Sequence, residues 1–392
     1  VPFAAASSEH PLPTHAVGEA AGAVLEAVGP GADLAVLFVT APLAGALDDL
    51  AGAVRALLRP GHLLGATAAA VVAGERGVED RAALALWAGH LAGGVAPVRL
   101  RVEDGDGGRR LTGLTDEAST ARSLLLLADP FSFPVGAALG GLATRVPDLT
   151  VIGGLASAGH RPGTNRLVLD GDIADDGAVG VLLDADVAPT TVVSQGCRPI
   201  GQPFIVTRSD GNVLLELAGR PALERLLEVV EALDPAERAL AGEGLHCGIV
   251  ADEHLLDFGR GDFLVRTVMG ADRERGAVAV GEVVPVGATV QFQLRDPATA
   301  GDDLRALVGA DLARSGPAGG VLLFTCSGRG SAMFGDPHHD AAAVRSATGA
   351  VPLAGMFCAG ELGPVGRRNA LHGFTASLAV FRDPDHHPGG AE

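Results

Sequence analysis

The sequence contains no lysine, so all 29 of its basic residues are arginine. That excludes Schiff-base chemistry on a lysine amine and the phosphate-holding lysine of a P-loop. Tyrosine is also absent, so no phenol serves as acid or base. Cysteine is scarce. Cys197, Cys247, Cys326 and Cys358 lie far apart and form no C-x-x-C pair. Their spacing argues against a zinc site or disulfide framework and for reduced thiols. No apolar run approaches the ~18 residues of a membrane span. The opening VPFAAASSEHPLPTH lacks the basic start and long apolar core of a secretory signal. A cytoplasmic location is expected. The net charge of −18 argues against binding to a nucleic acid backbone or an anionic membrane.

The 392 residues are 47% hydrophobic and 19% charged, enough for folded cores and too many for one ordinary core. Residues 19–28 suggest a helix ended by Gly29-Pro30-Gly31. Leu34–Thr40 is a near-continuous apolar run, as expected of a strand covered on both faces. A helix over Leu47–Leu58 follows, with Leu47, Leu50, Val54, Leu57 and Leu58 on one stripe. Residues 62–74 and a strand at 82–87 complete the group.

The pattern then recurs. Strand 123–128, helix 136–145, the loop TVIGGLASAGH (150–160) and strand 178–183 form a second copy. Strand 321–325, helix 339–348, strand and loop 351–364 and strand 371–381 form a third. The spacings from strand to marker glycine are similar: Phe38 to Gly65, Leu127 to Gly154, Phe324 to Gly355. These distances suit βαβ crossovers, so an internal repeat of strand, helix, strand, loop, strand is expected.

A different block lies between the second and third copies. TVVSQGCRPIGQPFIVT (191–207) reads as strand, turn and strand. Asp210-Gly211-Asn212 is a hairpin signal. Pro221 opens a helix, and Asp234 with Glu237 resembles a capping box. Strands are expected at 245–250, 262–269, 277–284 and 288–295, the last three as an antiparallel meander. The domain boundary is placed near 219–221, dividing the chain into domains 1–220 and 221–382 with a loose tail at 383–392. The fold expected is α/β: two related domains of mixed β-sheet flanked by helices, with β-α-β-loop-β repeats and an α-β-β-α layering.

Reactive residues gather in the third copy. Cys326-Ser327-Gly328-Arg329-Gly330 follows a buried strand, where α/β sheets place ligand loops. Arg329 could hold a carboxylate in a two-point grip, or be a surface arginine beside an inert thiol. Glu361 sits in the neighbouring loop and could meet an ammonium group, or simply pair with Arg329. Asn369 and His372 stand at the entrance of the last strand, and Gln195 and Arg198 are possible additions. A Cys326–His372 nucleophile pair is the enzymatic alternative; it needs a lowered thiol pKa. His338-His339-Asp340 and His386-His387 read as capping and surface residues, so no metal is expected. The glycine-rich loops match neither G-x-G-x-x-G nor a Walker A motif, so neither nucleotide nor other cofactor is expected.

On these residues the sequence resembles the FIST family, named for F-box and intracellular signal transduction. The resemblance runs from about Asp33 to Phe381. Its most specific stretches are SQGCRPIGQPFIVT (194–207), Arg220-Pro221-Ala222-Leu223, LLFTCSGRGSAMFG (322–335) and PLAGMFCAGELGPVGRRNALHGFTASLAVF (352–381). It implies an N-terminal and a C-terminal FIST module and a sensory role with a small ligand, such as an amino acid. No output domain fits beside the matched region, so a stand-alone sensor signalling to a separate protein partner is implied. One departure stands out. The family's first loop often carries Cys, Ser or Thr and a Gly-Glu where this chain has Ala68, Ala69, Ala70 and Val71. That shifts the expected ligand site to the C-terminal copy. The alternatives are an interaction scaffold without small ligand, or an enzyme with Cys326 as nucleophile.

Overall fold

Every residue of the run Leu34–Thr40 is buried, and the strand it forms (β1) pairs in parallel with His62–Ala68 (β2). The computed structural model describes residues 2–91, 93–105 and 108–383. Leu47–Leu58 (α1) makes the crossover from β1 to β2 and buries Leu47, Leu50, Val54 and Leu58, whereas Leu57, expected on the same stripe, is exposed at its edge. Leu84–Gly89 (β3) then pairs antiparallel with β1. The second copy repeats this: Ser123–Ala128 (β4), Val135–Arg145 (α2), Thr150–Leu155 (β5) and Ala178–Leu183 (β6). Here β5 is parallel to β4 and β6 antiparallel to it. The third copy is Ala318–Cys326 (β7), His339–Thr348 (α3), Leu353–Cys358 (β8) and Thr375–Arg382 (β9), with the same pairings.

Strand pairing fixes how the copies align. Leu37 faces Gly65, Leu126 faces Gly153, and Leu323 faces Gly355. The second marker is therefore Gly153, one residue before the expected Gly154. The reason is steric. A Cβ at these three glycines would lie 2.5, 1.9 and 1.9 Å from the facing leucine carbonyl oxygen. With the register corrected, Ala68, Ala156 and Cys358 become equivalent, and all three lie in one buried cluster.

That cluster explains the layering. It collects the inward faces of three sheets, with Phe38, Ala66 and Trp87 from the first copy, Leu125, Ile152 and Val181 from the second, and Phe324, Met356 and Phe381 from the third. Each sheet is covered outside by its own helices. Pro13–Val28 and α1 cover the first, α2 the second, and Pro297–Ser315 with α3 the third. The arrangement is thus α/β walls around a shared centre, three walls where a four-layer sandwich would have two. The copies also exchange short strands. Val71–Ala73 pairs with β8, and Glu361–Val365 pairs with β5.

By contact the chain forms two compact units. One comprises Val1–Val193, Leu304–Pro364 and Asn369–Glu392, and the other Ser194–Asp303 with Val365–Arg368. All three repeat copies fall in the first. The second is antiparallel. Its strands run Thr289–Arg295, Phe204–Asp210, Val213–Leu217, Ala277–Val280, Phe263–Asp272 and Leu245–Val250, and the last pairs back to the first, closing a ring. The hairpin at Asp210–Val213 and the Asp234/Glu237 capping box form as expected. The meander does not. Ala277–Val280 pairs with Phe263–Asp272 and Val213–Leu217, and Thr289–Arg295 pairs elsewhere. Ring closure joins Thr289–Arg295 to Phe204–Asp210 and Leu245–Val250, and Ala277–Val280 to Val213–Leu217, which overrides neighbour order. Of the expected loose tail, residues 384–392 lie outside the described residues, as do His386 and His387.

Candidate functional site

The three glycine-marked loops meet. Ser157 N–H donates to Thr67 O, and Phe357 N–H to Ala70 O. Ser157 Oγ donates to Phe357 O at 2.5 Å and accepts from Ala69 N–H. Ser327 closes the circuit, donating both N–H and Oγ to Cys358 O. The chemistry-bearing loop of the third copy is therefore held against its relatives, at the carboxyl ends of β7 and β8.

Arg329 is fully buried. The two-point grip expected of it exists, and Asp340 fills it: Nε to Oδ2 at 2.7 Å and Nη2 to Oδ1 at 2.8 Å. Nη1 donates to Phe374 O. Asp340 also accepts from Thr325 Oγ1 and His339. The Phe334 ring lies beneath the guanidinium at 5.1 Å and stacks on His339. The guanidinium charge, despite burial of the carboxylate, holds Asp340 well below the usual carboxylate range. The whole arrangement anchors the loop. Gly330 sits at φ +59°, where an added Cβ would strike Glu79, whose Oε1 accepts from Ser331 N–H.

Glu361 is fully buried too. Oε2 accepts from Thr375 N–H at 3.2 Å and Thr375 Oγ1 at 2.8 Å. Oε1 accepts no N–H or O–H among the described residues; the Cys326 thiol, a weak donor, is its neighbour. Burial pushes the carboxyl up to about 8, against the opposing pull of the Thr375 hydrogen bonds, Arg329 and the Cys326 thiol. The Cys326 thiol lies beside it, and burial together with that carboxylate pushes the thiol up to about 12. A nucleophilic cysteine needs the opposite shift.

The repeat makes Glu361 informative. In each copy the residue three before the strand-centre partner donates its N–H to a side chain. Ala83 donates to Thr40 Oγ1, Gly177 to Ser132 Oγ, and Thr375 to Glu361. A hydroxyl suffices in two copies. The third uses a carboxylate with an oxygen to spare, where the first and second copies have Val71 and Gly159.

Other expected site residues have separate tasks. Ser327 is exposed at the loop tip, and Gly328 lies under the Phe374 ring. The N–H groups of Ser327 and Arg329 are used within the protein. Asn369 accepts from Val151 N–H and donates to Leu149 O, standing in for a strand beside β5. His372 bonds Gly363 O. In the second unit, Arg198 pairs with Asp296 and Glu237, and Gln195 donates to Phe263 O. Hence Cys326, Arg329 and Glu361 are brought together, while Asn369 and His372 support nearby strands. Thr375 and Phe374 were not anticipated here, and Asp340, expected as a capping or surface residue, is instead buried against Arg329. Asp340 alone carried a signal, as an acid at a helix start eleven residues after Arg329. Among the described residues no group of three or more His, Cys, Asp or Glu is placed to hold a metal.

Residues 33–220 match the FIST N domain and 222–364 the FIST C domain. The chain belongs to the FIST family. Its relatives include uncharacterised proteins of Mycobacterium bovis and Mycobacterium tuberculosis (strain CDC 1551), each 47% identical over 93% of this chain and 95% of the relative. An uncharacterised protein of M. tuberculosis H37Rv is 46% identical over 94% and 96%. FIST domains are associated with sensory roles in signal transduction. No helix among the described residues is long and apolar enough to cross a membrane.

Proposed function

We propose that this FIST protein is a cytoplasmic sensor that binds a small amino compound, such as an amino acid or a similar small carboxylate, and signals as a stand-alone unit to a separate protein. The observation that carries this reading is the fully buried Glu361 carboxyl, whose Oε1 meets no N–H or O–H donor among the described residues and has only the weak Cys326 thiol beside it. A buried carboxyl oxygen without a strong hydrogen-bond partner costs about 1–3 kcal/mol. An ammonium or N–H donor from a ligand would remove that cost and draw the carboxyl into its charged form. Partly buried Cys326 and exposed Ser327 mark the side from which a ligand would enter. Arg329, committed to Asp340, holds the loop in place rather than reading the ligand.

A thermal-shift screen of the full chain against amino acids and small carboxylates tests the reading. A ligand at a hundred times its Kd should stabilise by about 2.7 kcal/mol. Glu361→Gln should weaken binding of amino ligands by at least about tenfold. An unchanged Tm across the panel at millimolar ligand sinks the sensor reading in this form.

A further inference from the structure

A second cleft in the first unit is lined by none of the residues of the Cys326 loop. A cleft of about 400 Å³ opens at the carboxyl ends of β1 and β2, lined among others by Gly45, Asp48, Gly163, Thr164, Arg166 and Ile173. Its volume lies at the lower end of the range for small-molecule pockets. Its position, beyond the ends of a parallel strand pair, is where open α/β sheets take ligands.

Arg166 is the residue that sets this cleft apart. Its backbone is pinned in both directions to Thr67 at the end of β2: Arg166 N–H donates to Thr67 Oγ1, and Thr67 N–H to Arg166 O. Its guanidinium is pinned as well. Nη1 donates to Gly163 O and Asn165 O, both at 2.7 Å. The loop carrying those carbonyls is fixed in turn. Asn165 is fully buried, donates to buried Asp129 at 3.0 Å and accepts from Gly159 N–H, while Thr164 closes a turn onto Arg161. Among the described residues no carboxylate lies within ion-pair distance of Arg166, and its Nε and Nη2 edge carries no hydrogen bond to the chain. An oriented guanidinium with a free two-donor edge is the geometry that binds a planar carboxylate. Across the same cleft Asp48 is exposed and likewise pairs with no cation among the described residues. Both line the cleft without forming an ion pair with each other.

We propose that this cleft is a binding site for a small carboxylate that also carries a hydrogen-bond donor, with Arg166 gripping the carboxylate and Asp48 accepting from the donor. The Asp48 charge disfavours a compact dianion at the same spot.

Isothermal titration of the full chain with L-lactate, propionate and inorganic phosphate tests the proposal. Lactate has no ammonium group, which keeps the measurement apart from Glu361. Lactate should bind more tightly than propionate, and phosphate more weakly than either. Arg166→Gln should weaken lactate and propionate alike by at least about tenfold, and Arg166→Lys should fail to restore them, because a point charge cannot reproduce the fork. Asp48→Asn should weaken lactate toward the propionate value and leave propionate unchanged. Asp49→Asn, on the same helix, should change nothing. Equal lactate affinity in the wild type and Arg166→Gln overturns the proposal. So does no detectable lactate binding, or phosphate binding as tightly as lactate. Should Arg166→Gln lose its folded circular dichroism, exposed Asp48 still decides: an Asp48→Asn chain that binds lactate like the wild type overturns the assignment.

Discussion

Two buried acids within one loop system have opposite characters, and each leads to a measurable outcome. Asp340 faces the two-point grip of a guanidinium and two further donors, Thr325 and His339, so its ionised form is strongly favoured. Its folded pKa lies below the ordinary 3.8, so it contributes stability above that value and loses it as pH falls further. Removing its charge strands a fully buried cation. Asp340→Asn should therefore destabilise by about 3–5 kcal/mol in urea unfolding at pH 7. Replacing Arg329 and Asp340 together by apolar residues should cost much less than the single change. Glu361 behaves in reverse. It titrates near 4.5 when unfolded and near 8 when folded. Between those values the folded chain keeps a proton that the unfolded chain has released, so stability falls as pH rises through that window and levels off above it. Glu361→Gln removes this slope. Unfolding free energies at pH 5 and pH 8.5 should show the variant gaining on the wild type by a few kcal/mol at most. A constant difference between the two pH values refutes a proton held by Glu361.

Among the elements, the parallel pairs β1–β2, β4–β5 and β7–β8 depend on close approach at one glycine each. Gly355→Ala puts a methyl 1.9 Å from Leu323 O in the centre of a buried sheet. Relief requires backbone movement, and the expected loss is about 1–3 kcal/mol or more. Gly18 lies in the helix Pro13–Val28 with open space where a Cβ would stand. Gly18→Ala should raise stability by up to about 1 kcal/mol. Thermal unfolding of both variants checks the contrast. A Gly355→Ala chain as stable as the wild type would show that the β7–β8 register is not set by this contact.

For the whole molecule, the linear order of the sequence modules and the compact units part company. The centre shared by the three walls needs Leu322, Phe324, Met356 and Phe381 from the third copy. A fragment ending at residue 220 leaves the facing apolar surface of the first two copies open. It should show no cooperative urea transition and should aggregate. The fragment 194–303 keeps its closed ring of antiparallel strands with its own core of Val206, Leu214, Val278 and Phe292. It should fold alone, giving a β-rich circular dichroism spectrum and a single transition. The opposite pair of results would refute this division of the core.

Much of the architecture was legible along the chain. Buried parallel strands showed as continuous apolar runs, α1 and α3 were bounded to the residue, and the hairpin and capping box followed from turn and cap chemistry. These features depend on interactions within a few residues, where periodicity and backbone preference decide. The repeat was visible as well, and so was the gathering of Cys326, Arg329 and Glu361 in its third copy. What stayed hidden depends on contacts far apart in sequence. Whether Arg329 holds a ligand or an internal acid turns on where α3 places Asp340. The role of Asn369 turns on Val151, 218 residues away. The oriented edge of Arg166 turns on a loop tied to Asp129. Local preference cannot select such partners, because their free energy comes from charges and donors removed from water together. Only the packing of three walls on one centre brings them into reach.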